Sequence, residues 1–174
     1  APLQKPAKVL GMPFTSSNTV TLLIDGEQTF KAILTAIQSA TNYILIQYYI
    51  VRDDDIGTQI KDALIAKSQQ DLPIYFIYDE IGSHELSDNY LSELDEAGIQ
   101  VTSFYSSNGH HFQINFRNHR KIVVVDGKTA FIGGLNVGDE YLGKCPKYGH
   151  WRDTHTMIQG PAVQYVQLAF LKDW

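Results

Sequence analysis

The sequence predicts an α/β domain: a mixed, largely parallel sheet with helices on both faces. Three observations lead there. Strand-like and helix-like runs alternate between residues 20 and 104, the pattern of right-handed βαβ crossovers. The run YILIQYYIV at 43–51 is apolar almost throughout, as strands covered on both faces are. The run IVVVDGKTAFIGG at 122–134 reads as two β segments meeting at Asp126-Gly127, a strong hairpin signal.

Taken in order, residues 1–18 form an irregular leader rich in Pro, Gly and Ser, and 19–174 a single domain. The strand VTLLIDG at 20–26 precedes a helix over 27–41. There Phe30, Ile33, Leu34 and Ile37 fall at i, i+3, i+4 and i+7 and make one apolar face. After the buried strand, a second helix over 55–69 places Ile56, Ile60, Ala63 and Leu64 on one side. Pro73 opens the strand PIYFIYD, and a third helix over 86–97 ends at Gly98, a residue suited to the position just past a helix. IQVTSF at 99–104 is the next strand and RDTHTMIQ at 152–159 a later one. Gly160-Pro161 opens a last helix with proline in its first position.

A chain of 174 residues is long enough for one domain with a real core. Its net charge of −5 argues against a general nucleic-acid binder, which carries a basic stripe, and leaves room only for a local basic site. The single cysteine, Cys145, excludes an internal disulfide, and nothing in LGKCPKYG is built to activate it. No apolar run approaches the roughly eighteen residues that cross a bilayer. APLQKPAKVL carries no signal-peptide pattern, so an anchor for work at a membrane would lie outside this chain.

The chemistry is concentrated in NHRKIVVVDGKTAFIGGLN, 118–136. Side chains at i and i+2 of a strand share a face, so His119 and Lys121 are expected to emerge side by side. Such a pairing suits an anion. A phosphodiester repels nucleophiles, so its site must neutralise charge and place an attacking atom in line. Lys121 supplies the cation, Asn136 amide hydrogens for a phosphate oxygen, and Gly133 and Gly134 a backbone that substrate can approach closely. A short helix at VGDEYL would add an anion-binding end. His119 is then a nucleophile, giving a phosphohistidine-type intermediate, and must be neutral with its other nitrogen held by an acceptor. Asp126 lies five residues beyond Lys121, on the opposite face of an unbroken strand, which suggests a structural job at the Asp-Gly turn.

His119, Lys121 and Asp126 spell H-x-K-x4-D, and Gly133-Gly134-Leu135-Asn136 follows as GG-x-N. The two elements together resemble the HKD motif of the phospholipase D superfamily. NFRNHRK, GGLNVGDEYLG, WRDTH and FLKDW are similar to the N-terminal catalytic half of bacterial cardiolipin synthases, a resemblance covering about 14 to 174 and densest from 115 to 160. It implies a phospholipase D-like fold and transfer of a phosphatidyl group from one phosphatidylglycerol to another, through His119, with no metal or cofactor. It also implies that Asp153 of WRDTH orients His119. A second histidine, as general acid and base, would come from a C-terminal repeat of the fold or from an identical subunit. This chain, with one H-x-K, would be half an enzyme or one protomer of a dimer, soluble by itself. The complete protein would sit at the bacterial inner membrane through segments absent here, with no nucleic-acid partner.

Two other functions remain open on the residues alone. One is a homodimeric phosphodiesterase or nuclease of the same superfamily, against which the acidic charge and Gly134, where such nucleases often carry serine, both count. The other is a non-catalytic module that binds phosphate or lipid headgroups. His110, His111, His150 and His155 lack cysteine partners and compact spacing, so they read as loop or core histidines, with His155 on the same strand face as Asp153. RDDDIG at 52–57 has the wrong spacing for a calcium loop and reads as a strand end followed by a helix N-cap. The tyrosines of QYYIV read as core, and Asp79 with Gly82-Ser83 follows a parallel strand, where α/β sites often form.

Overall fold

The computed structural model describes residues 13–104 and 118–174. Their order is β1 (Thr19–Ile24), α1 (Asp25–Ser39), β2 (Ile44–Tyr48), α2 (Asp55–Ser68), β3 (Ile74–Tyr78), α3 (Asp88–Glu96), β4 (Gln100–Ser103), β5 (Ile122–Val125), β6 (Thr129–Gly133), a 3-10 helix (Asp139–Leu142), β7 (Thr154–Gln159) and α4 (Val163–Leu171). Of the expected leader, residues 13–18 form neither helix nor strand, while 1–12 lie outside the described residues, as do His110 and His111.

The strands form one sheet in the order β1-β7-β6-β5-β2-β3-β4. The sheet is mixed, but less parallel than the alternating first half suggests. Among the described strands only β2–β3 and β3–β4 pair in parallel; β1–β7, β7–β6, β6–β5 and β5–β2 are antiparallel. The cause is the hairpin at Asp126-Gly127, where both residues take positive φ (55° and 62°) inside a turn closed by Lys128 N donating to Val125 O at 3.0 Å. It inserts β5 and β6 beside β2, and β7 extends the meander so that β1 meets only an antiparallel neighbour.

Alternation along the strands divides the core in two. Ile44, Ile46, Tyr48, Phe76, Val123, Val125 and Phe131 face α1, α2 and α3 through Phe30, Ile33, Ile37, Ile56, Ile60, Leu64, Tyr90 and Leu94. Leu45, Ile77, Ile122, Val124 and Ala130 face α4 through Val163 and Phe170. Each such side chain fully withdrawn from water stabilises the fold by about 1.5–3 kcal/mol before entropy is counted. The helix ends are specified locally. Asp54 caps α2 by accepting from Gly57 N at 3.1 Å, as RDDDIG suggested, and Ser87 caps α3 by accepting from Tyr90 N at 3.1 Å. Pro161 departs from expectation: α4 begins at Val163, so the proline lies ahead of the cap residue Ala162. The chain turns at Gly160 (φ 110°), and Asn18 Oδ1 takes the Ala162 N–H at 2.7 Å, so this helix start is fixed from the other end of the sequence.

Candidate active site

The carboxyl ends of β1, β2, β3 and β6 and the amino ends of β5 and β7 lie along one edge of the sheet, as the registers require. That edge carries Asp25, Tyr49, Asp79, the segment Asn118–Lys121, Gly133-Gly134 and Asp153. Asp126 sits at the opposite end of β5.

His119 and Lys121 precede β5 rather than belonging to it. Ladder pairing begins only at Ile122, opposite Gln47 and Ile132. Their proximity therefore does not come from a shared strand face. The His119 ring lies on the Tyr49 ring, centroids 3.8 Å apart and planes 17° apart. Lys121 Nζ lies 5.3 Å from the Tyr49 centroid and donates to His119 O at 2.6 Å. Both tyrosines read as core are buried, and Tyr49 is in addition the platform for the imidazole. The strand periodicity already hinted at this, because adjacent residues point to opposite faces.

Asp153 immediately precedes β7 and lies against Gly134, where an added Cβ would fall 2.4 Å from Asp153 Oδ1. An added Cβ at Gly133 would fall 2.3 Å from His155 Nδ1 and 2.7 Å from His155 Cα. The two glycines thus make room for Asp153 and His155 at the start of β7, a packing reason for their smallness that backbone approach to substrate does not require. Burial pulls the Lys121 pKa down, and the attraction of Asp153 opposes the shift. His155, 1% exposed, is pushed down to about 4 by burial; Asp153 works against that shift and Lys121 adds to it. It is a neutral imidazole at neutral pH. Lys121, Asp153 and His155 thus form one electrostatic group beside His119. Among the described residues no hydrogen bond joins Asp153 to His119; Asp153 Oδ1 accepts from Thr154 N at 2.7 Å. Asp25 fixes this corner. Its N–H donates to Asp153 O and its Oδ1 accepts from Asp153 N, both at 3.0 Å. The Asp25 carboxyl is held low chiefly by the backbone bond from Asp153, against the opposing effect of burial, with His150 and Arg152 adding to the lowering.

Asn136 is turned inward. Its Oδ1 accepts from Ile50 N at 3.0 Å, which fixes the amide's orientation, and its Nδ2 donates to Tyr141 OH at 3.1 Å. With 7% exposure it joins the segment after β2 to the segment after β6, where Val51 and Val137 form a bridge. The expected anion-binding helix end is already filled. Asp54 Oδ2 accepts from Asp139 N at 2.7 Å, and the 3-10 helix opens with Asp139 and Glu140.

Asp126 takes Thr41 N (3.0 Å), Thr41 Oγ1 (2.9 Å), Asn42 N (2.7 Å) and Tyr43 N (3.1 Å), tying the hairpin to the loop before β2. Partial burial pulls its pKa up, but those bonds outweigh it and hold the carboxyl low. The geometry gives it a structural task, remote from His119.

Asn118 and Asp173 escape sequence reasoning, while Asp79 is marked there only by its place after a parallel strand. Asp79, 2% exposed, accepts from Ile81 N (3.0 Å) and Gly82 N (2.9 Å) on Oδ1 and from Asn118 N (3.1 Å) on Oδ2. Asn118 Nδ2 donates to Asp173 Oδ2 at 2.6 Å, and its Oδ1 accepts from Arg120 N at 3.1 Å. Asp173 Oδ2 also accepts from Gln47 Nε2 at 2.8 Å and pairs with the Arg120 guanidinium. A lone glutamine inside an otherwise apolar strand was the local signal for Asp173.

A histidine beside a lysine, at the edge of this mixed sheet, fits the phospholipase D class that the H-x-K and GG-x-N elements resemble. The fold is shared with Nuc, a phospholipase D family member from Salmonella typhimurium, at a TM-score of 0.67 over 91% of this chain and 95% of that one, with 18% identity. The chain belongs to the family described as cardiolipin synthase, phospholipase D-like domain, whose model matches residues 33–174. It is 49% identical to cardiolipin synthase A of Pseudomonas fluorescens over 100% of this chain and 37% of that protein. It is 51% identical to cardiolipin synthase 2 of Bacillus cereus over 87% of this chain and 30% of that protein. The chain thus spans about a third of the length of these relatives.

Proposed function

We propose that this chain supplies one half-site of a cardiolipin synthase, transferring a phosphatidyl group from one phosphatidylglycerol to the hydroxyl of another. The observation that carries the reading is the gathering of His119, Lys121 and Asp153 at one sheet edge in a chain of this family. A nitrogen of His119 attacks phosphorus, the P–O bond to glycerol breaks, and a phosphatidyl-histidine remains. The second phosphatidylglycerol then attacks phosphorus and releases His119. Lys121 offsets phosphate charge through both steps. Asp153, already beside Lys121, takes the other N–H of His119 once substrate tightens the site. Asn136 supports the site by fixing Ile50 and Tyr141, with one amide hydrogen left for a phosphate oxygen. Gly133 and Gly134 admit His155 and Asp153.

Protonating the departing glycerol needs a second histidine, which another segment of a longer protein, or a second copy of this chain, would provide. The lipid substrates bring the complete protein to a membrane; among the described residues no helix is long and apolar enough to cross one. The test is His119→Ala in the complete protein, assayed for cardiolipin formed and glycerol released. Loss of both supports the reading, and unchanged turnover overturns it.

A further inference from the structure

His119 makes no side-chain hydrogen bond among the described residues, so its direction is set by the Tyr49 ring and by the backbone on either side of it. That backbone is unusually tied. Asp79 holds the Asn118 N–H, and the Asn118 side chain reaches forward to Arg120 N. Both Asn118 and Arg120 end on one oxygen, Oδ2 of Asp173, which also takes Gln47 from the interior of β2. Asp173 lies just past the end of α4, where an anion has the wrong sign for the helix dipole. Its carboxylate is nonetheless 10% exposed and has three donors. Its place is fixed by Asp173 N donating to Phe170 O at 2.9 Å. The following residue reinforces it, since Trp174 stacks on Phe170 and meets Tyr75 edge-on.

We propose that Asp173 is a positioning residue for His119: through Asn118 and Arg120 it fixes the segment that presents the imidazole against Tyr49. The catalytic consequence rests on the functional reading above; the positioning itself does not. Asp79 holds the same segment from the side of β3, so the nucleophile is gripped by carboxylates from two elements. A misplacement of about 1 Å at a reacting group costs on the order of a hundredfold in rate.

The test reads position first and turnover second. In the 174-residue chain, the Cε1–H resonance of His119 is displaced by the ring current of Tyr49, a displacement identified by its loss in Tyr49→Leu. Asp173→Ala and Arg120→Ala should each move that resonance by at least half of the displacement, while the amide signals of β2, β5 and β6 stay folded. Should Asp173→Ala fail to fold, Arg120→Ala, whose side chain is half exposed, decides the matter. An unmoved resonance overturns the proposal. In the complete protein, Asp173→Ala should lower kcat by about ten- to a hundredfold with KM within about twofold, and Asp173→Asn, which keeps an acceptor oxygen, should recover part of the loss. A change confined to KM, or equal damage from Asn and Ala, also overturns it. If His119→Ala left turnover intact, the functional reading would fall while the resonance result stood.

Discussion

The imidazole of His119 lies flat on the ring of Tyr49, 3.8 Å away and tilted by 17°. The tyrosine directly follows β2 and the histidine precedes β5, so the antiparallel β2–β5 pairing brings them together. Aromatic pairs of this kind are worth about 0.5–1.5 kcal/mol beyond area burial. Tyr49→Leu is therefore expected to lower kcat by about three- to tenfold through loss of imidazole alignment, with the fold intact. Steady-state assays of phosphatidyl transfer, beside a thermal melt, check both halves.

The two motif glycines should fail differently. At Gly134 the nearest atoms to an added methyl are the carboxylate end of Asp153, which can swing away, so Gly134→Ala should keep stability within about 1 kcal/mol and lose activity. At Gly133 it meets the His155 ring and Cα, and backbone cannot yield so easily. Gly133→Ala should cost about 1–3 kcal/mol, seen as a lower urea midpoint.

Stability should depend on pH through His155. Its pKa falls from the usual 6.5 to about 4, chiefly by burial, so the folded chain binds fewer protons than the unfolded chain between those values. The neutral ring's contribution is complete above pH 6.5 and is lost as pH falls towards 4, at most on the order of 3 kcal/mol. Urea titrations at pH 7 and 4.5 should show a larger loss for the wild type than for His155→Gln. Equal losses would remove His155 from the account.

Asp126 should matter for stability and not for chemistry. Four groups of the loop before β2 donate to its carboxylate, and its φ is positive. Asp126→Ala is expected to cost about 2–3 kcal/mol, from lost charge-assisted bonds and an unfavourable backbone. Turnover per folded molecule should stay near the wild-type value. A specific loss of kcat in fully folded protein would contradict this division.

The fold was legible wherever the signal was local. Apolar periodicity located α1 and α2 to within a few residues, and Asp126-Gly127 located the hairpin. The parallel share of the sheet was overestimated because alternation of strand and helix does not say where a strand is inserted. The meander entered between β1 and β2. In the site, the motif spacing marked His119 and Lys121, but their mutual geometry arises outside the strand that was expected to hold them. Asp173 and Gln47 stand 126 positions apart and Asn118 and Asp79 stand 39 apart. Contacts of that range leave no periodicity to read, beyond a polar residue in an apolar strand. The glycines were legible as small but their β7 neighbours were not, since the β6–β7 register is what puts His155 beside Gly133.

On the proposed function, His119 carries the phosphatidyl group. The most direct test is to mix the complete protein with phosphatidylglycerol, quench it under the alkaline conditions in which phosphohistidine survives, and map the adduct by mass spectrometry. A phosphatidyl mass is expected on His119, absent from His119→Ala and discharged by a second phosphatidylglycerol with formation of cardiolipin. Cardiolipin formed with the adduct on another residue, or persisting in His119→Ala, would contradict it.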